Sequence, residues 1–276
     1  MTNSRAPVHA EVIGDPIAQS KSPLIHGYWI EKLGIDAEYR ATHVVSENLS
    51  DHIARRRDDA DWRGCNVTMP HKLAVMDLVD DPGDVRGSIG AMNTILRQPD
   101  GSLIGTNTDA AGFFAPLADF DLEAAPVALY GSGGAARAVL FALKQMGAGP
   151  VTMLARNPLK AAGLLSTFGL KGDVVPIDAP LPPVALVANA SALGMGGQPE
   201  LAPDLSGLPD DAVVYDIVYS PLETPLLAAA RARALATIDG LEMLIGQAAA
   251  AFELFFGQAP PRDDASETEL RRRLTS

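Results

Sequence analysis

The chain has a single cysteine, Cys65, among its 276 residues. One thiol excludes a disulfide framework within the chain and a metal site built from several cysteines. The five histidines show no spacing typical of zinc ligands, so the sequence predicts no metal site. No apolar run approaches the length of a membrane span, and the opening segment MTNSRAPVHAEVIG lacks the apolar core of a signal peptide. We therefore expect a cytoplasmic protein with no membrane partner.

Basic residues are also scarce, because Lys and Arg number 22 against 34 Asp and Glu, which gives a net charge of −12. Nucleic-acid binding needs a concentrated basic face, which the short arginine triplets at 55–57 and 271–273 do not supply. We therefore expect no nucleic-acid partner. An anionic ligand would have to be held by local hydrogen-bond donors, since the overall field of the protein opposes it.

Short apolar runs alternate with amphipathic segments along the whole chain. In the first hundred residues the pattern predicts strands at 11–14, 38–44 and 65–69. It predicts one helix that begins at the Ser22-Pro23 pair, a second with a capped start at 46–57, and a third after Pro70. A hairpin is predicted at 93–107. Further strands are predicted at 126–130, 150–156, 173–177, 184–190, 212–218 and 236–239. Alternation of strands with helices is typical of βαβ units and a parallel sheet.

A glycine-rich turn joins one of these strands to the next helix, at Gly131, Ser132, Gly133, Gly134 and Ala135. Glycines permit a tight turn and a close approach to a pyrophosphate, whose charge the N–H groups at a helix start can meet. The following strand ends at Arg156 and Asn157, where NAD-binding proteins usually carry an acidic residue. A guanidinium suits a 2′-phosphate, so the sequence favours NADP. The alternative is a plain strand-to-helix turn with a solvated Arg156.

Four polar clusters in the first part of the chain, at 20–23, 66–72, 90–94 and 107–109, suit a small anionic substrate. Ser20 and Ser22 place two hydroxyls at a helix start, although a simple N-cap role for Ser22 is the alternative. Lys72 falls in the first turn of the helix predicted after Pro70, where the helix dipole favours loss of its proton; an ordinary surface lysine is the alternative. Asp109 either caps the helix that follows it or pairs with Lys72 in a proton relay, and sequence spacing leaves both open.

The motifs SKSP, NVTMPHK, GAMNT, NTD, GSGGAARA, NASALGM, YDIVYSPLETPLL and GLEMLIGQA occur in the order found in one family. From about residue 11 to residue 257 the chain resembles the shikimate dehydrogenase family. The resemblance implies two α/β domains with the active site in the cleft between them. A substrate-binding catalytic domain with a mixed sheet would span 1–109, completed by C-terminal helices at 241–276. A Rossmann-type, doubly wound NADP-binding domain would span 110–240.

The resemblance also implies an activity, which is the reversible NADP-dependent reduction of 3-dehydroshikimate to shikimate in the chorismate pathway of aromatic amino-acid biosynthesis. Ser20 and Ser22 would bind the substrate carboxylate, and Lys72 and Asp109 would be catalytic through proton transfer. Other substrate contacts would come from Thr68, Asn93, Asp109, Tyr219 and Gln247. Ile217 and Gly240 would lie near the nicotinamide. We expect a monomer or a homodimer.

Three positions depart from the family pattern. Gly27 follows His26 where the family usually has Asn, Ala110 follows Asp109 where it usually has Gly, and 155–157 is Ala-Arg-Asn where Asn-Arg-Thr is common. None of these departures removes a proposed catalytic group. Two alternative functions are a quinate/shikimate dehydrogenase that uses NAD or NADP, and a catalytically silent NADP-binding regulatory protein.

Overall fold

The structure is a computed structural model that describes residues 7–275. Its strands are β1 (Val8–Gly14), β2 (Ala37–His43), β3 (Trp62–Val67), β4 (Thr94–Arg97), β5 (Leu103–Thr106), β6 (Val127–Tyr130), β7 (Val151–Leu154), β8 (Val174–Val175), β9 (Leu186–Asn189), β10 (Val213–Asp216) and β11 (Ala236–Ile238). Its helices are α1 (Ser22–Leu33), α2 (Leu49–Arg57), α3 (Val85–Ser88), α4 (Asp109–Phe114), α5 (Gly134–Gln145), α6 (Pro158–Phe168), α7 (Pro225–Ala232), α8 (Gly240–Phe256) and α9 (Asp264–Thr275). Two compact units divide the chain: a first unit of the residues up to Thr108 and from Gln247 onward, and a second unit of Asp109–Gly246.

The first unit is built on a five-stranded mixed sheet with the order β2-β1-β3-β4-β5. Strand β1 runs parallel to β2 and β3, whereas β4 and β5 form the antiparallel hairpin that the sequence predicts. The hairpin turn contains Gly101, whose φ of 87° lies in the left-handed region that favours glycine. The strand β3 contains Cys65, which is fully buried.

The second unit contains a six-stranded sheet with the order β11-β10-β9-β6-β7-β8, and all its pairings are parallel. Numbered within the unit, this is the doubly wound order 3-2-1-4-5-6 of dinucleotide-binding folds. Val127 and Leu129 of β6 belong to the core on one face of the sheet, while Ala128 and Tyr130 belong to the core on the other. Burial on both faces explains why these strands are continuously apolar in sequence. The predicted α/β class, a mixed sheet plus a Rossmann-type sheet, is confirmed.

Two predictions about helix starts are wrong. Helix α1 begins at Ser22 itself, with Lys21 at the N-cap position and no side-chain cap. The Ser22 N–H instead donates to Ser20 Oγ at 3.3 Å, so Ser20 satisfies a backbone donor at this helix start. The segment predicted as a capped helix at 46–57 begins with a 3-10 turn at Ser46–Asn48, also without a side-chain cap, before α2 starts.

The helix predicted after Pro70 is also wrong, because residues 69–73 form turns and only a 3-10 helix, Ala74–Asp77, follows. The carbonyl of Lys72 accepts from the N–H of Met92 at 2.8 Å, although an α-helix would have used that carbonyl for its own residue four positions on. The Met76 N–H bonds to Leu73 instead. A tertiary hydrogen bond therefore replaces the helix that the apolar spacing favours.

A buried carboxylate links four elements of the first unit. Glu11 in β1 is 1% exposed and accepts hydrogen bonds from Thr42, His52, Arg56 and Trp62. Burial raises the pKa of Glu11, but the hydrogen bonds outweigh burial and lower that pKa to about 2. The charged form of Glu11 is thus preferred in the fold, and it ties β1, β2, β3 and α2 together.

We expect Glu11→Ala to lower the free energy of unfolding by about 3 kcal/mol, the low end for a broken buried ion pair, since Arg56 still reaches solvent. The contribution of Glu11 should be complete above its ordinary pKa of 4.5 and should be lost as the pH falls through about 2. Urea unfolding at several pH values measures both effects. Glu38→Ala is the control, because the exposed pair of Glu38 and Arg40 should contribute less than about 1 kcal/mol. Equal losses in the two variants would contradict this account.

Among residues 7–275, no helix combines the length and apolar character needed to cross a membrane.

Candidate active site

The chain segments that follow β1 and β3 lie side by side in the first unit. The N–H of Thr68 donates to the carbonyl of Ile13 at 2.9 Å, which holds the turn after β3 against the end of β1. A Cβ on Gly14 would lie 2.5 Å from Thr68 Cγ2, so the close approach requires glycine there. From this point the chain continues to Ser20 and Ser22, which are half-buried and buried respectively. Thr68 thus lies at these neighbouring strand ends, and the chain that leaves β1 there leads to Ser20 and to Ser22 at the start of α1.

The side-chain amide of Asn93 has a fixed orientation. Asn93 is 1% exposed, and its Oδ1 accepts from the backbone N–H of Thr108 at 2.7 Å. Because a backbone N–H can only donate, this contact identifies the amide oxygen. The Nδ2 group therefore points the other way and donates to Thr108 Oγ1 at 2.9 Å and Gln247 Oε1 at 3.4 Å. Two predicted substrate contacts, Asn93 and Gln247, share one hydrogen-bond network.

This network continues into the core of the first unit. Thr94 Oγ1 donates to Asn93 Oδ1 at 3.0 Å, and Asn66 Nδ2 donates to Thr94 Oγ1 at 3.1 Å. The hydroxyl of Tyr39 then donates to Asn66 Oδ1 at 2.6 Å. Burial raises the pKa of Tyr39 well above its ordinary value, so its hydroxyl keeps the proton that it donates. These supporting residues were not predicted, because nothing local in the sequence marks Tyr39, Asn66 and Thr94 as partners.

Lys72 is half-buried in the turn after β3 rather than at a helix start. The helix-dipole argument for its chemistry therefore loses its basis. The backbone bond from Met92 to the Lys72 carbonyl instead places this turn directly beside the segment that leads into Asn93. The neighbouring His71 is buried, and its Nε2 lies 2.6 Å from the carbonyl of Val44, a structural contact that fixes the same turn.

In the second unit, the glycine turn follows β6 as predicted. Gly131 has a φ of 104°, and a Cβ there would lie 2.8 Å from the carbonyl oxygen of Ala190. A Cβ on Gly133 would meet no atom within 4 Å, so open space adjoins the turn. Helix α5 begins at Gly134 with no side-chain cap, and the N–H groups of the first turn of a helix have no partner within the helix. These residues fit a pyrophosphate group.

Arg156 and Asn157 are both exposed at the end of β7. Asn157 Oδ1 accepts from the N–H of Lys160 at 3.0 Å and caps α6, so Asn157 has a structural role at the start of this helix. The N–H of Gly131 donates to the carbonyl of Leu154 at 3.0 Å, which joins the glycine turn to the strand that leads to Arg156. An exposed guanidinium at this edge fits a phosphate, and its phosphate contact stays a prediction.

Four further predicted residues belong to the second unit. Ile217 and Tyr219 follow β10, and a Cβ on Gly240 would overlap the carbonyl oxygen of Ile217. Burial raises the pKa of Tyr219, which favours its neutral phenol. Asp109 is 5% exposed and is the first residue of α4. Because Lys72 belongs to the other unit, the pairing of Lys72 with Asp109 stays a prediction.

Within the described range 7–275, no group of three or more His, Cys, Asp or Glu side chains is arranged to hold a metal ion.

The doubly wound sheet with its glycine turn, joined in one chain to a mixed-sheet unit that presents amides and hydroxyls, defines the class of dinucleotide-dependent oxidoreductases. Residues 12–95 match the family model for the shikimate dehydrogenase substrate binding domain, and residues 240–266 match the shikimate 5′-dehydrogenase C-terminal domain. A protein of Sphingopyxis alaskensis named shikimate dehydrogenase (NADP(+)) is 68% identical over the whole of both chains. The chain belongs to the shikimate dehydrogenase family.

Solved structures of related dehydrogenases are also similar to this chain. Shikimate 5-dehydrogenase from Thermus thermophilus, in complex with NADP(H) and shikimate, is 35% identical with a TM-score of 0.83, over 97% of this chain and 99% of that chain. Quinate dehydrogenase from Corynebacterium glutamicum, in complex with NAD, is 30% identical with a TM-score of 0.83, over 96% and 99%. The family resemblance predicted from the motifs is confirmed.

We expect Thr108→Val to destabilise the protein by about 1–3 kcal/mol, because the Nδ2 group of buried Asn93 loses an acceptor. Thr108→Ser keeps the hydroxyl and should recover most of that loss. Urea unfolding of the two variants beside the unchanged protein measures the difference. If Ser and Val at this position destabilise equally, the methyl group and not the hydrogen bond is what matters.

Proposed function

We propose that the chain catalyses the reversible reduction of 3-dehydroshikimate to shikimate with NADP, a step in aromatic amino-acid biosynthesis. The observation that carries the proposal is the 68% identity, over the full length, to the Sphingopyxis alaskensis protein named shikimate dehydrogenase (NADP(+)). The motifs that predict this activity span both units of the fold. The chemistry can therefore be assigned residue by residue.

The substrate carboxylate is assigned to Ser20 and Ser22. Both lie at the start of α1, where hydroxyl donors and free backbone N–H groups favour an anion. Ser20 already accepts from the Ser22 N–H, which leaves its own hydroxyl proton for the carboxylate. Neutral donors of this kind bind an anion locally in a protein whose net charge is −12.

The ring hydroxyls of the substrate are assigned to Thr68, Asn93 and Gln247, with Tyr219 as a further contact. Asn93 suits this role because the Thr108 N–H behind it fixes its amide, and the long 3.4 Å contact from its Nδ2 to Gln247 Oε1 is the one that a substrate hydroxyl replaces. A donor whose orientation is fixed before binding loses little freedom when the substrate arrives. Gln247 shares the network with Asn93, so the two amides are positioned together.

NADP is assigned to the carboxyl edge of the second sheet, and when bound as NADPH it supplies the hydride for the ring carbonyl. The glycine turn holds the pyrophosphate through Gly131, Ser132, Gly133, Gly134 and Ala135. Arg156 binds the 2′-phosphate, with Asn157 beside it as the cap of α6. Ile217 and Gly240 form the surface for the nicotinamide.

Proton transfer is assigned to Lys72 and Asp109. Lys72 donates a proton to the carbonyl oxygen as it becomes an alkoxide, and in the reverse direction it accepts the proton of the substrate hydroxyl. Asp109 orients the amine of Lys72 and stabilises its charged form. The presence of both residues argues against a catalytically silent NADP-binding regulator. A monomer or a homodimer and a cytoplasmic location stay predictions.

A quinate/shikimate dehydrogenase is the second candidate function, favoured by the 30% identity to quinate dehydrogenase from Corynebacterium glutamicum. Loss of NADPH absorbance in the presence of 3-dehydroshikimate tests the main proposal. If the absorbance does not fall, the catalytically silent NADP-binding regulator is the function that remains. Oxidation rates with shikimate and quinate, each with NADP and with NAD, separate the two dehydrogenases. A quinate rate equal to the shikimate rate would favour the second candidate.

We expect Arg156→Ala to weaken NADP binding roughly 10- to 100-fold, since a charge-assisted contact to the 2′-phosphate costs about 1.5–3 kcal/mol when lost. NAD binding should be nearly unchanged, so the NADP/NAD preference should fall by the same factor. Isothermal titration with each cofactor measures it. Lys171→Ala removes the same charge at the opposite, amino edge of the sheet, just before β8, and should leave both affinities as they are. An unchanged preference in Arg156→Ala would refute the phosphate contact.

We expect Lys72→Ala to lower kcat by roughly 10²- to 10⁴-fold, the usual contribution of a positioned acid or base. NADP binding should persist, because its assigned contacts all lie in the second unit. Asp109→Asn should also lower kcat, and the double variant should be little slower than Lys72→Ala, since residues that act as a unit are not additive. Steady-state kinetics of the three variants tests this. Near-normal turnover in Lys72→Ala would exclude the mechanism, whereas additive losses would make Asp109 a separate substrate contact.

A further inference from the structure

A buried carboxylate lies at the end of β10, outside the roles assigned above. Asp216 is 0% exposed and accepts three hydrogen bonds. They come from Asn189 Nδ2 at 2.9 Å, the Val218 N–H at 3.0 Å and Thr224 Oγ1 at 2.7 Å. Burial raises the pKa of Asp216, and these three bonds act against that rise. All three donors are neutral groups, so none of them offsets the burial of Asp216 with an opposite charge, and its three hydrogen bonds are what stabilise it.

The three donors come from different parts of the carboxyl edge. Asn189 is the last residue of β9, Val218 lies in the loop at 217–224, and Thr224 is the N-cap of α7. Thr224 Oγ1 also accepts from the N–H of Leu227, so one hydroxyl serves both the helix and Asp216. Asp216 thus fixes both ends of the loop at 217–224 and joins that loop to β9.

Asn189 extends the connection into the segment at 189–193. Its Oδ1 accepts from the N–H and the hydroxyl of Ser191, at 3.0 and 2.7 Å, and its Nδ2 also donates to the carbonyl of Leu193 at 3.0 Å. A further bond, from the Gly196 N–H to the Ser220 carbonyl at 2.9 Å, joins the stretch beyond this segment to the loop at 217–224. The two strand-end segments therefore hold each other in one arrangement.

The segment at 189–193 in turn contacts the glycine turn. The Gly131 backbone approaches Ala190 so closely that a Cβ would lie 2.8 Å from the Ala190 carbonyl oxygen and 3.0 Å from the Ser191 nitrogen. A shift of Ala190 would therefore displace the turn that precedes α5. Hydrogen bonds and packing connect Asp216, through Asn189, to the turn assigned to the pyrophosphate.

We propose that Asp216 is a positioning residue for the cofactor edge, which acts through Asn189 and Thr224 to set the arrangement of the glycine turn, the segment at 189–193 and the loop at 217–224. This inference rests on the NADP binding proposed above. Beyond the residues assigned to NADP contact, it identifies residues that hold the cofactor-binding segments in place before NADP binds. Rigid support of this kind raises affinity because binding no longer has to order the loops.

The test is calorimetric titration of NADP⁺ into the full-length protein and its Thr224→Val variant, which keeps the side-chain shape but loses both the hydroxyl for Asp216 and the cap of α7. We expect the Kd for NADP⁺ to rise roughly tenfold or more, because NADP⁺ binding would then have to order these loops. Thr224→Ser restores the hydroxyl and should return Kd to within about twofold of the unchanged protein. Asp216→Asn has one acceptor atom where the carboxylate has two, and should weaken binding in the same direction.

Leu226→Ala separates positioning from general destabilisation. Leu226 is fully buried on α7 and takes no part in the hydrogen bonds of Asp216, so its truncation should lower Tm and leave Kd unchanged. If Leu226→Ala weakens NADP⁺ binding as much as Thr224→Val does, stability alone explains the effect and the proposal fails. It also fails if Thr224→Val binds NADP⁺ within twofold of the unchanged protein. Absence of NADP⁺ binding by the unchanged protein would instead refute the proposed function itself.

Discussion

The direction of parallel strands is the constraint on which the rest of this structure depends. Neighbouring parallel strands end at the same edge of a sheet, and each must be followed by a crossover that leaves from that edge. In the second unit, β6, β7, β9 and β10 therefore deliver four chain segments to one place. In the first unit, β1 and β3 do the same on a smaller scale. Residues far apart in sequence become neighbours because their strands point the same way.

The strands and the glycine turn were predictable because their signals are local. The second sheet is buried on both faces, so its strands are short apolar runs, and the hairpin of β4 and β5 is marked by its Pro99-Asp100-Gly101 turn. Helix starts were less predictable. The apolar spacing after Pro70 favours a helix, but the carbonyl of Lys72 bonds to Met92, twenty residues away. A tertiary hydrogen bond overrides the local helix propensity here, and the sequence pattern does not predict that bond.

The residues of the candidate site also differ in whether a local sequence signal predicts them. Ser20, Lys72 and Arg156 could be named from the sequence because each lies in a short motif or at a strand end. The supporting residues Tyr39, Asn66 and Thr94 could not. Asn93 and Gln247 were named from the family motifs, but their shared network was not, because no periodicity records a pair 154 positions apart. Asp216 could not be predicted for another reason. A carboxylate in a buried strand is unfavourable by itself, and only the structure shows the three donors that stabilise it.

The single cysteine has a practical consequence. Cys65 is fully buried in the central part of the first sheet, with β1 on one side and β4 on the other. Burial raises the pKa of its thiol well above the ordinary value, with the charge of Glu11 acting in the same direction. An inaccessible thiol of this kind does not react with alkylating reagents or oxidants until β3 separates from its neighbours. The protein thus carries its own chemical label for opening of the first sheet, and a thiol-specific mass tag would count those openings without any engineered probe.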